Sequence, residues 1–378
     1  MILPVVFGVL IIASVLWEAF ETVVLPRRVS RRFRVTRFLY RGMWLPWRAI
    51  AHAYKKPKPR ETFLSYFGPL SILLLFAMWA AAIIFGFGLL YYSSSTRDST
   101  HPTFDTCLYL SGTTMFTLGL GDVVPHTWFE RLLAVMESGL GFGFLALVLS
   151  YLPVIYQAFS RREVNIVLLD SRAGSPPTAA ELLRRHADSD HAASLEQVLR
   201  DWEHSSAEIL ESHISYPSVS YFRSQHANES WLAALTAILD CCTLLMASVE
   251  NGPAAAVRQA RLTFAMCRHT VVDLAQVFGE APPPDGQKRL PTADFQRLTD
   301  ALKKAGFRLR EDSDAADKFA KLRAMYEPYV EALSQYLYLE VPPWILASEI
   351  TDNWRTSAWG RISGLALAEK SGPDDHTD

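Results

Sequence analysis

The sequence contains little cysteine: four residues in 378, at spacings that do not form a disulfide framework. Cys241, Cys242 and Cys267 lie in apolar stretches with helical periodicity, where a free cysteine packs as a small hydrophobic side chain. Cys107 has no cysteine partner nearby in the sequence. A fold held together by disulfides is therefore excluded.

Motifs of nucleotide-binding and catalytic domains are also missing. Residues 164–169 could form a strand, but no G-x-G-x-x-G turn follows them, and glycine is scarce from there to residue 330. The sequence contains neither a P-loop nor a nucleophile spaced from a candidate base. We therefore expect no Rossmann-type domain, no organic cofactor and no enzymatic activity.

Charge of one sign is missing from each of the first two segments. Residues 1–25 contain no lysine or arginine, and residues 26–60 contain nine arginines and three lysines but no acidic residue. This asymmetry is typical of a membrane protein. A cleaved signal peptide would need a basic start and a small-residue cleavage site, which the first segment lacks. We therefore predict that residues 1–25 form an N-terminal transmembrane helix.

Two further apolar segments, residues 66–90 and 128–159, are long enough to cross a bilayer. The positive-inside rule places the basic block 26–60 in the cytoplasm, and Arg161 and Arg162, which end the third span, agree with this orientation. The sequence therefore predicts a multi-pass protein of the inner membrane, with its N-terminus outside and its C-terminus in the cytoplasm.

The basic segment, residues 26–62, interleaves arginine with aromatic and leucine side chains. This pattern predicts an interfacial amphipathic segment that binds anionic lipid headgroups and is broken at Pro46. Pro57 and Pro59 are expected to form a stiff lead into the second span. Nucleic-acid binding is the other explanation of a basic stretch, and it is disfavoured between two membrane spans.

Residues 161–370 are polar with helical periodicity, which predicts a helical cytosolic domain that assembles or regulates the protein. A first helix is expected to begin near Ala179. Longer helices are expected at about 190–213, 226–250, 253–279, 293–306 and 313–340. The final residues, 371–378, are expected to be disordered.

One segment of this domain, residues 232–249, is nearly apolar enough to cross a membrane. Asp240 lies near its centre, and a carboxylate at that depth in a bilayer is costly. We therefore expect a buried helix of the cytosolic domain, with Asp240 paired to a cation such as Arg261 or Arg268.

The most informative stretch lies between the second and third spans and consists of Thr117, Leu118, Gly119, Leu120, Gly121 and Asp122. Its two glycines permit backbone conformations that a side chain would forbid. A strand of this kind can aim successive carbonyl oxygens in one direction. Rings of such oxygens can replace the hydration shell of a potassium ion.

The order of span, short helical run, this motif and second span resembles the pore module of tetrameric two-transmembrane potassium channels. The resemblance covers residues 63–160 and implies an all-α membrane fold with a pore helix at about 103–116. It also implies that four identical chains close one ring. K⁺ ions would then be held by Thr117, Leu118, Gly119 and Leu120, with Gly121 as the outermost ring and Asp122 at the external mouth.

The chain departs from the family behind this motif. The family most often has tyrosine where this chain has Leu120, and some members carry a pore-helix glutamate where this chain has Thr113. Glu137, in the third span, must face protein or water. We hypothesise that it points at the back of the filter, near Thr113 or Thr114, and replaces the missing acid. A hydrogen-bonded packing role is the alternative.

The third span also carries the residues expected to open and close the pore. Gly141 matches the gating-hinge glycine of the family, although ordinary helix packing explains a glycine equally well. Phe142, Leu145, Leu149 and Pro153 recur on one helical face. They are predicted to line the cavity, the lower ones forming a gate that closes by dewetting.

Two other functions stay open at this point. One is a non-selective cation channel of the same architecture, and the other is a membrane-anchored signalling or scaffold protein with a vestigial pore. The cytosolic domain could bind an unidentified ligand. His204, Glu208 and Glu211 share a helix face that could bind a metal, and a solvated polar face explains them as well.

Overall fold

A computed structural model describes residues 2–24, 35–94, 102–187, 192–225, 229–280 and 289–346. The chain divides into two compact units, Met1–Gln157 and Ala158–Asp378. Within the described ranges the regular elements are helices, and one isolated antiparallel bridge joins Val249 to Leu309. The predicted all-α membrane fold is confirmed. The tail 371–378 lies outside the described residues.

Three helical segments in the described ranges are long and apolar enough to cross a membrane: Ile2–Val23, Pro57–Ser94 and Trp128–Ala173. They contain the predicted segments 66–90 and 128–159 and overlap residues 2–23 of the predicted span 1–25. The helices of the first unit are α1 (Ile2–Ala19, followed by a π-helical turn Phe20–Val24), α2 (Val35–His52), α3 (Pro57–Ser65), α4 (Phe67–Ser94), α5 (Phe104–Met115) and α6 (Trp128–Ala173, which continues into the second unit).

The N-terminal helix α1 packs against α4 of its own chain through small residues. A Cβ atom added to Gly8 would lie 2.7 Å from the carbonyl oxygen of Gly86, and one added to Gly86 would lie 2.7 Å from Ile12. Glycines let two membrane helices approach closely because no side chain separates the backbones.

The basic segment is more helical than predicted. Pro46 lies inside α2 and does not break it, and residues 57–65 form α3 instead of a stiff extended lead. Tertiary packing holds α2 together, since Trp44 is buried against Phe67 with ring centroids 4.8 Å apart. Pro57 and Pro59 fall in the first turn of α3, where the N–H that proline lacks would have no helical partner.

Helix α6 is longer than the predicted third span. It does not end at Arg161 and Arg162 but continues to Ala173, so residues 164–169 are helical and not a strand. Composition predicted a boundary here because two arginines mark the end of a membrane span. Neither arginine ends a helix, however, since arginine is a good helix former.

The second unit continues with α7 (Ala179–Arg185), α8 (Ala192–Ser215), a 3₁₀ helix (Pro217–Tyr221), α9 (Trp231–Ala247), α10 (Ala254–Phe278), α11 (Thr292–Lys304), α12 (Ser313–Ala324) and α13 (Glu327–Leu337). Thr178 caps α7 by accepting the backbone N–H of Glu181. The single helix expected over residues 313–340 is two helices, because Pro328 favours a new first turn.

Helix α9 is the centre of the second unit, as predicted, but the expected partner of Asp240 is wrong. Arg289 binds both carboxylate oxygens, at 3.2 and 2.8 Å, and the Tyr326 hydroxyl also donates to this carboxylate. Arg261 is exposed on the outer side of α10. The cation therefore comes from a residue far along the chain that the helical pattern does not link to Asp240.

Candidate functional site

The site is built on the loop that follows α5. The predicted pore helix at 103–116 is close to the observed α5, Phe104–Met115, with Thr103 and Phe116 as its flanking residues. After this helix the chain turns back, since the N–H of Leu118 donates to the carbonyl oxygen of Thr113 at 2.8 Å. The loop therefore begins directly at the C-terminal end of α5.

Every second residue of this loop has a positive φ angle: 55° at Thr117, 56° at Gly119 and 82° at Gly121. In an ordinary strand successive carbonyl groups point to opposite sides. Alternating the sign of φ turns every second peptide group over, so that successive carbonyl oxygens can share one side. At Thr117, which is not a glycine, this conformation is strained by about 1–3 kcal/mol, and such strain is typical of functional sites.

The loop and one face of α6 are exposed in a single chain. Leu118 and Leu120 are 61% and 65% exposed, and Phe142 and Leu149 are 71% and 64% exposed. Leu145 and Pro153 are exposed on the same face of α6. The four residues predicted to line a cavity therefore share one unburied apolar face.

The outer end of the loop is tied to α5 by a contact that sequence reasoning missed. The Tyr109 hydroxyl donates to a carboxylate oxygen of Asp122 at 2.8 Å. Asp122 is the residue predicted at the external mouth. Neither residue alone signals this pairing, because they are brought together only by the reversal of the chain after α5.

The return from the loop to α6 is fixed by a capping box. The Glu130 carboxylate accepts the N–H groups of His126 and Thr127 at 2.8 and 3.1 Å, and the N–H of Glu130 donates to the Thr127 hydroxyl at 3.2 Å. The sequence Thr127-Trp-Phe-Glu130 carries the S/T-x-x-E pattern of such a box, so this feature could have been found from the sequence.

Glu137 is completely buried behind the loop and joins three helices. It accepts from the Tyr91 hydroxyl of α4 at 2.9 Å and from the Ser111 hydroxyl of α5. The predicted partners, Thr113 and Thr114, instead donate to a backbone carbonyl within α5. Glu137 therefore does face α5, but it binds Ser111, two residues before Thr113 and three before Thr114.

Gly141 explains this offset. A Cβ atom at this position would lie 2.0 Å from the carbonyl oxygen of Met115, so α6 touches the end of α5 at this glycine. Glu137 and Ser111 each lie four residues earlier, one helical turn from this contact. The close approach at Gly141 thereby sets the register that places Glu137 against Ser111. Gly139 and Gly143 have open space at the same test position.

The candidate metal face of the second unit is not assembled. His204 and Glu208 are exposed with 3.9 Å between the His204 Nε2 atom and the Glu208 carboxylate. Among the described residues no group of three histidine, cysteine or carboxylate side chains is arranged to hold a metal ion. The four cysteines are buried.

Comparison with known proteins agrees with this geometry. A family model described as "Ion channel" matches residues 74–157, which contain most of α4, all of α5, the loop and the first part of α6. The chain is also similar to "Uncharacterized membrane protein YdjJ" of Bacillus subtilis (strain 168), with 22% identity over 217 residues. That alignment covers 56% of this chain and 60% of the relative's length. No solved structure matches. The similarity to an ion channel domain therefore covers residues 74–157 of the chain.

Proposed function

We propose that this protein is a potassium-selective channel that conducts K⁺ passively through a pore at the centre of four copies of the chain. The observation that carries the proposal is the alternation of φ at Thr117, Gly119 and Gly121. It lets the carbonyl oxygens of Thr117, Leu118, Gly119 and Leu120 face one side, where rings of them would replace the hydration shell of K⁺. The Thr117 hydroxyl would add an oxygen at the innermost site.

Assembly from several copies is supported by what a single chain leaves uncovered. Residues 116–122 are non-helical and exposed, and irregular backbone at membrane depth is tolerated only inside protein or along a water-filled path. Neighbouring copies would cover the loop on its sides and leave the carbonyl oxygens to the ion path. Four copies match the ring size that the family resemblance implies.

The route below the filter would be lined by the exposed face of α6. Phe142, Leu145, Leu149 and Pro153 are apolar, and an apolar constriction can close a pore by dewetting. The C-terminal end of α5 carries partial negative charge and would favour a cation in the cavity it faces. Glu137 would act from behind, as the support that holds α5 and therefore the filter in place.

The same proposal includes the placement of the chain in the inner membrane, with the N-terminus outside and the second unit in the cytoplasm. Arg41 and Arg48 of α2 would then lie at the cytoplasmic headgroup level, where anionic lipids attract basic side chains. Vesicles with and without anionic lipid would measure this attraction, which should weaken with added salt.

The test is ion flux into liposomes that contain only the purified full-length chain. We expect a potential set by the K⁺ gradient, with Na⁺ carrying little current. Gly119→Ala should abolish the flux because alanine is strained at a φ of 56°. The matched control Gly139→Ala, at a glycine with open space, should conduct as the wild type does.

Two results would change the conclusion. Equal permeability to K⁺ and Na⁺ would contradict selectivity and favour a non-selective cation channel of the same architecture. A complete absence of flux from well-assembled protein would contradict the channel itself and favour the signalling or scaffold function.

A further inference from the structure

Two adjacent arginines on the cytosolic continuation of α6 have opposite surroundings. Arg161 is exposed, whereas Arg162 is 3% exposed and belongs to the interior of the second unit. A buried guanidinium needs partners for its donors, because an unpaired buried charge is very costly. The partners of Arg162 therefore show what this part of α6 is attached to.

Arg162 is attached to the 3₁₀ helix Pro217–Tyr221, which follows α8. One terminal nitrogen donates to the carbonyl oxygen of Val219 at 3.0 Å, and the other donates to that of Phe222 at 2.8 Å. The guanidinium also lies over the ring of Phe159, 5.2 Å from its centroid, and pairs with Glu163 at 3.0 Å. The helix is thus bound to this turn by hydrogen bonds that only a planar, forked cation can make together.

His213 completes the arrangement from α8. Its Nε2 atom lies 3.3 Å from a terminal nitrogen of Arg162. Arginine can only donate, so Nε2 must accept and the imidazole is neutral. Burial, and then the Arg162 charge, lower the pKa of His213 well below its ordinary value. A proton on Nε2 would remove the acceptor and place two cations side by side.

The other charged groups around His213 do not offset such a proton. Glu163 of α6 is paired with Arg162 and accepts from the Ser224 hydroxyl. Arg223, after the 3₁₀ helix, donates to backbone carbonyls at residues 337 and 338. Helix α9 presents the uncharged Trp231 ring to His213, and its carboxylate, Asp240, is held by Arg289.

We propose that Arg162 is a positioning residue for gating, which ties α6 to the turn 217–222, and that protonation of His213 releases this tie. In the release step Nε2 takes a proton from cytoplasmic water, Arg162 loses one acceptor, and repulsion between the two cations drives them apart. Because α6 continues without a break from the first unit, Met1–Gln157 (the channel unit), release changes the open probability of the pore. This inference rests on the proposed channel function.

The test compares two neighbouring charge removals in full-length channels in planar bilayers. Arg162→Gln should change the open probability at neutral pH by about fivefold or more, the lower end of typical coupling between sites. Arg161→Gln removes the same charge from an exposed position and should leave the open probability nearly unchanged. Equal effects of the two substitutions would overturn the proposal.

Acidification supplies the second arm. Lowering the cytoplasmic pH stepwise below 6.5, toward the lowered pKa of His213, should shift the wild-type open probability toward that of Arg162→Gln. His213→Gln keeps an acceptor for Arg162 but cannot bind the proton. Its open probability should therefore equal that of the wild type at neutral pH and should not change on acidification. An identical acid response in the wild type and His213→Gln would contradict the proposal even if Arg162→Gln fails to assemble.

Hydrogen exchange of residues 217–224 in the full chain separates this inference from the channel proposal. Exchange, corrected for its intrinsic pH dependence, should rise on acidification in the wild type and not in His213→Gln. Such a rise without current from any variant would contradict the channel function but would still support the inference that protonation of His213 releases Arg162 from the turn. Currents without any change in exchange would contradict the tie.

Discussion

Helices α6 and α9 are both apolar, but they meet opposite surroundings. Every residue of α9 except Met246 is buried by other helices of the second unit. In contrast, α6 leaves Phe142, Leu145 and Leu149 exposed on one face. The second unit therefore buries the apolar side chains of α9 within itself, whereas the exposed apolar face of α6 needs lipid or further copies of the chain to cover it. Apolar composition alone does not distinguish the two cases.

The two units also treat a buried carboxylate differently. Asp240 is paired with the charged Arg289, while Glu137 accepts from the neutral hydroxyls of Tyr91 and Ser111. Burial alone would lower the pKa of Arg289, but the adjacent Asp240 raises it above its ordinary value. The second unit thus compensates its buried charge with a cation, and the channel unit uses its carboxylate to join three helices.

The largest expected effect is the loss of this buried ion pair. Asp240→Asn should lower the free energy of unfolding of the second unit by about 3 kcal/mol, the lower end of the cost of breaking a buried ion pair, because Arg289 would keep only Glu327, at 3.4 Å, as a counter-charge. Denaturant unfolding of the full chain, followed by fluorescence, measures this. Glu208→Gln, in an exposed pair with His204, is the control and should change little. Equal effects would show that Asp240 is not compensated as described.

The next effect tests the contact that sets the position of Glu137. Gly141→Ala should destabilise the channel unit by about 1–3 kcal/mol or more, since the new methyl group overlaps the carbonyl oxygen of Met115. Gly143→Ala adds the same methyl group two residues away, where space is open. The fraction of assembled protein after heating in detergent would compare them. If the two variants assemble equally well, α6 does not touch α5 at this glycine.

A third prediction concerns the hydroxyl partners of Glu137. Tyr91→Phe leaves one carboxylate oxygen with one donor fewer and should cost about 1–3 kcal/mol. If the hydrogen bonds of Glu137 support the filter, this variant and Glu137→Gln should also reduce the K⁺/Na⁺ permeability ratio and shorten the open-state lifetime. Tyr92→Phe removes the same hydroxyl from a half-exposed neighbour and serves as the control. Unchanged selectivity and lifetime in Glu137→Gln would leave Glu137 a packing residue only.

The smallest effect is the pH dependence of the second unit. In the unfolded chain His213 has a pKa near its ordinary value of 6.5, but in the folded protein burial lowers this pKa, so the proton binds only at lower pH. The lowered pKa therefore costs no stability above pH 6.5. Below pH 6.5 the free energy of unfolding decreases as the pH falls toward the folded pKa, by up to about 1.4 kcal/mol per pH unit. The difference in unfolding free energy between the wild type and His213→Gln isolates this contribution. A constant difference across this range would contradict the buried, neutral state of His213.

Much of the fold was predictable because its signals are local. Apolar length predicted the three spans, and helical periodicity predicted most helices of the second unit to within a few residues. The errors came from packing. Pro46 stays inside α2 because Trp44 and its neighbours hold the helix, and the arginines at 161 and 162 do not end α6.

The sequence by itself determined the three apolar spans, the short helix α5 and the loop with its two glycines, since chain length, hydrophobicity and backbone freedom act between near neighbours in the chain. Only the tertiary structure decided the partners of the buried polar groups: Ser111 for Glu137, Arg289 for Asp240, and the turn 217–222 for Arg162. These pairs join residues far apart in the chain. Their selection depends on which helix faces meet, and close approaches such as that at Gly141 set the register.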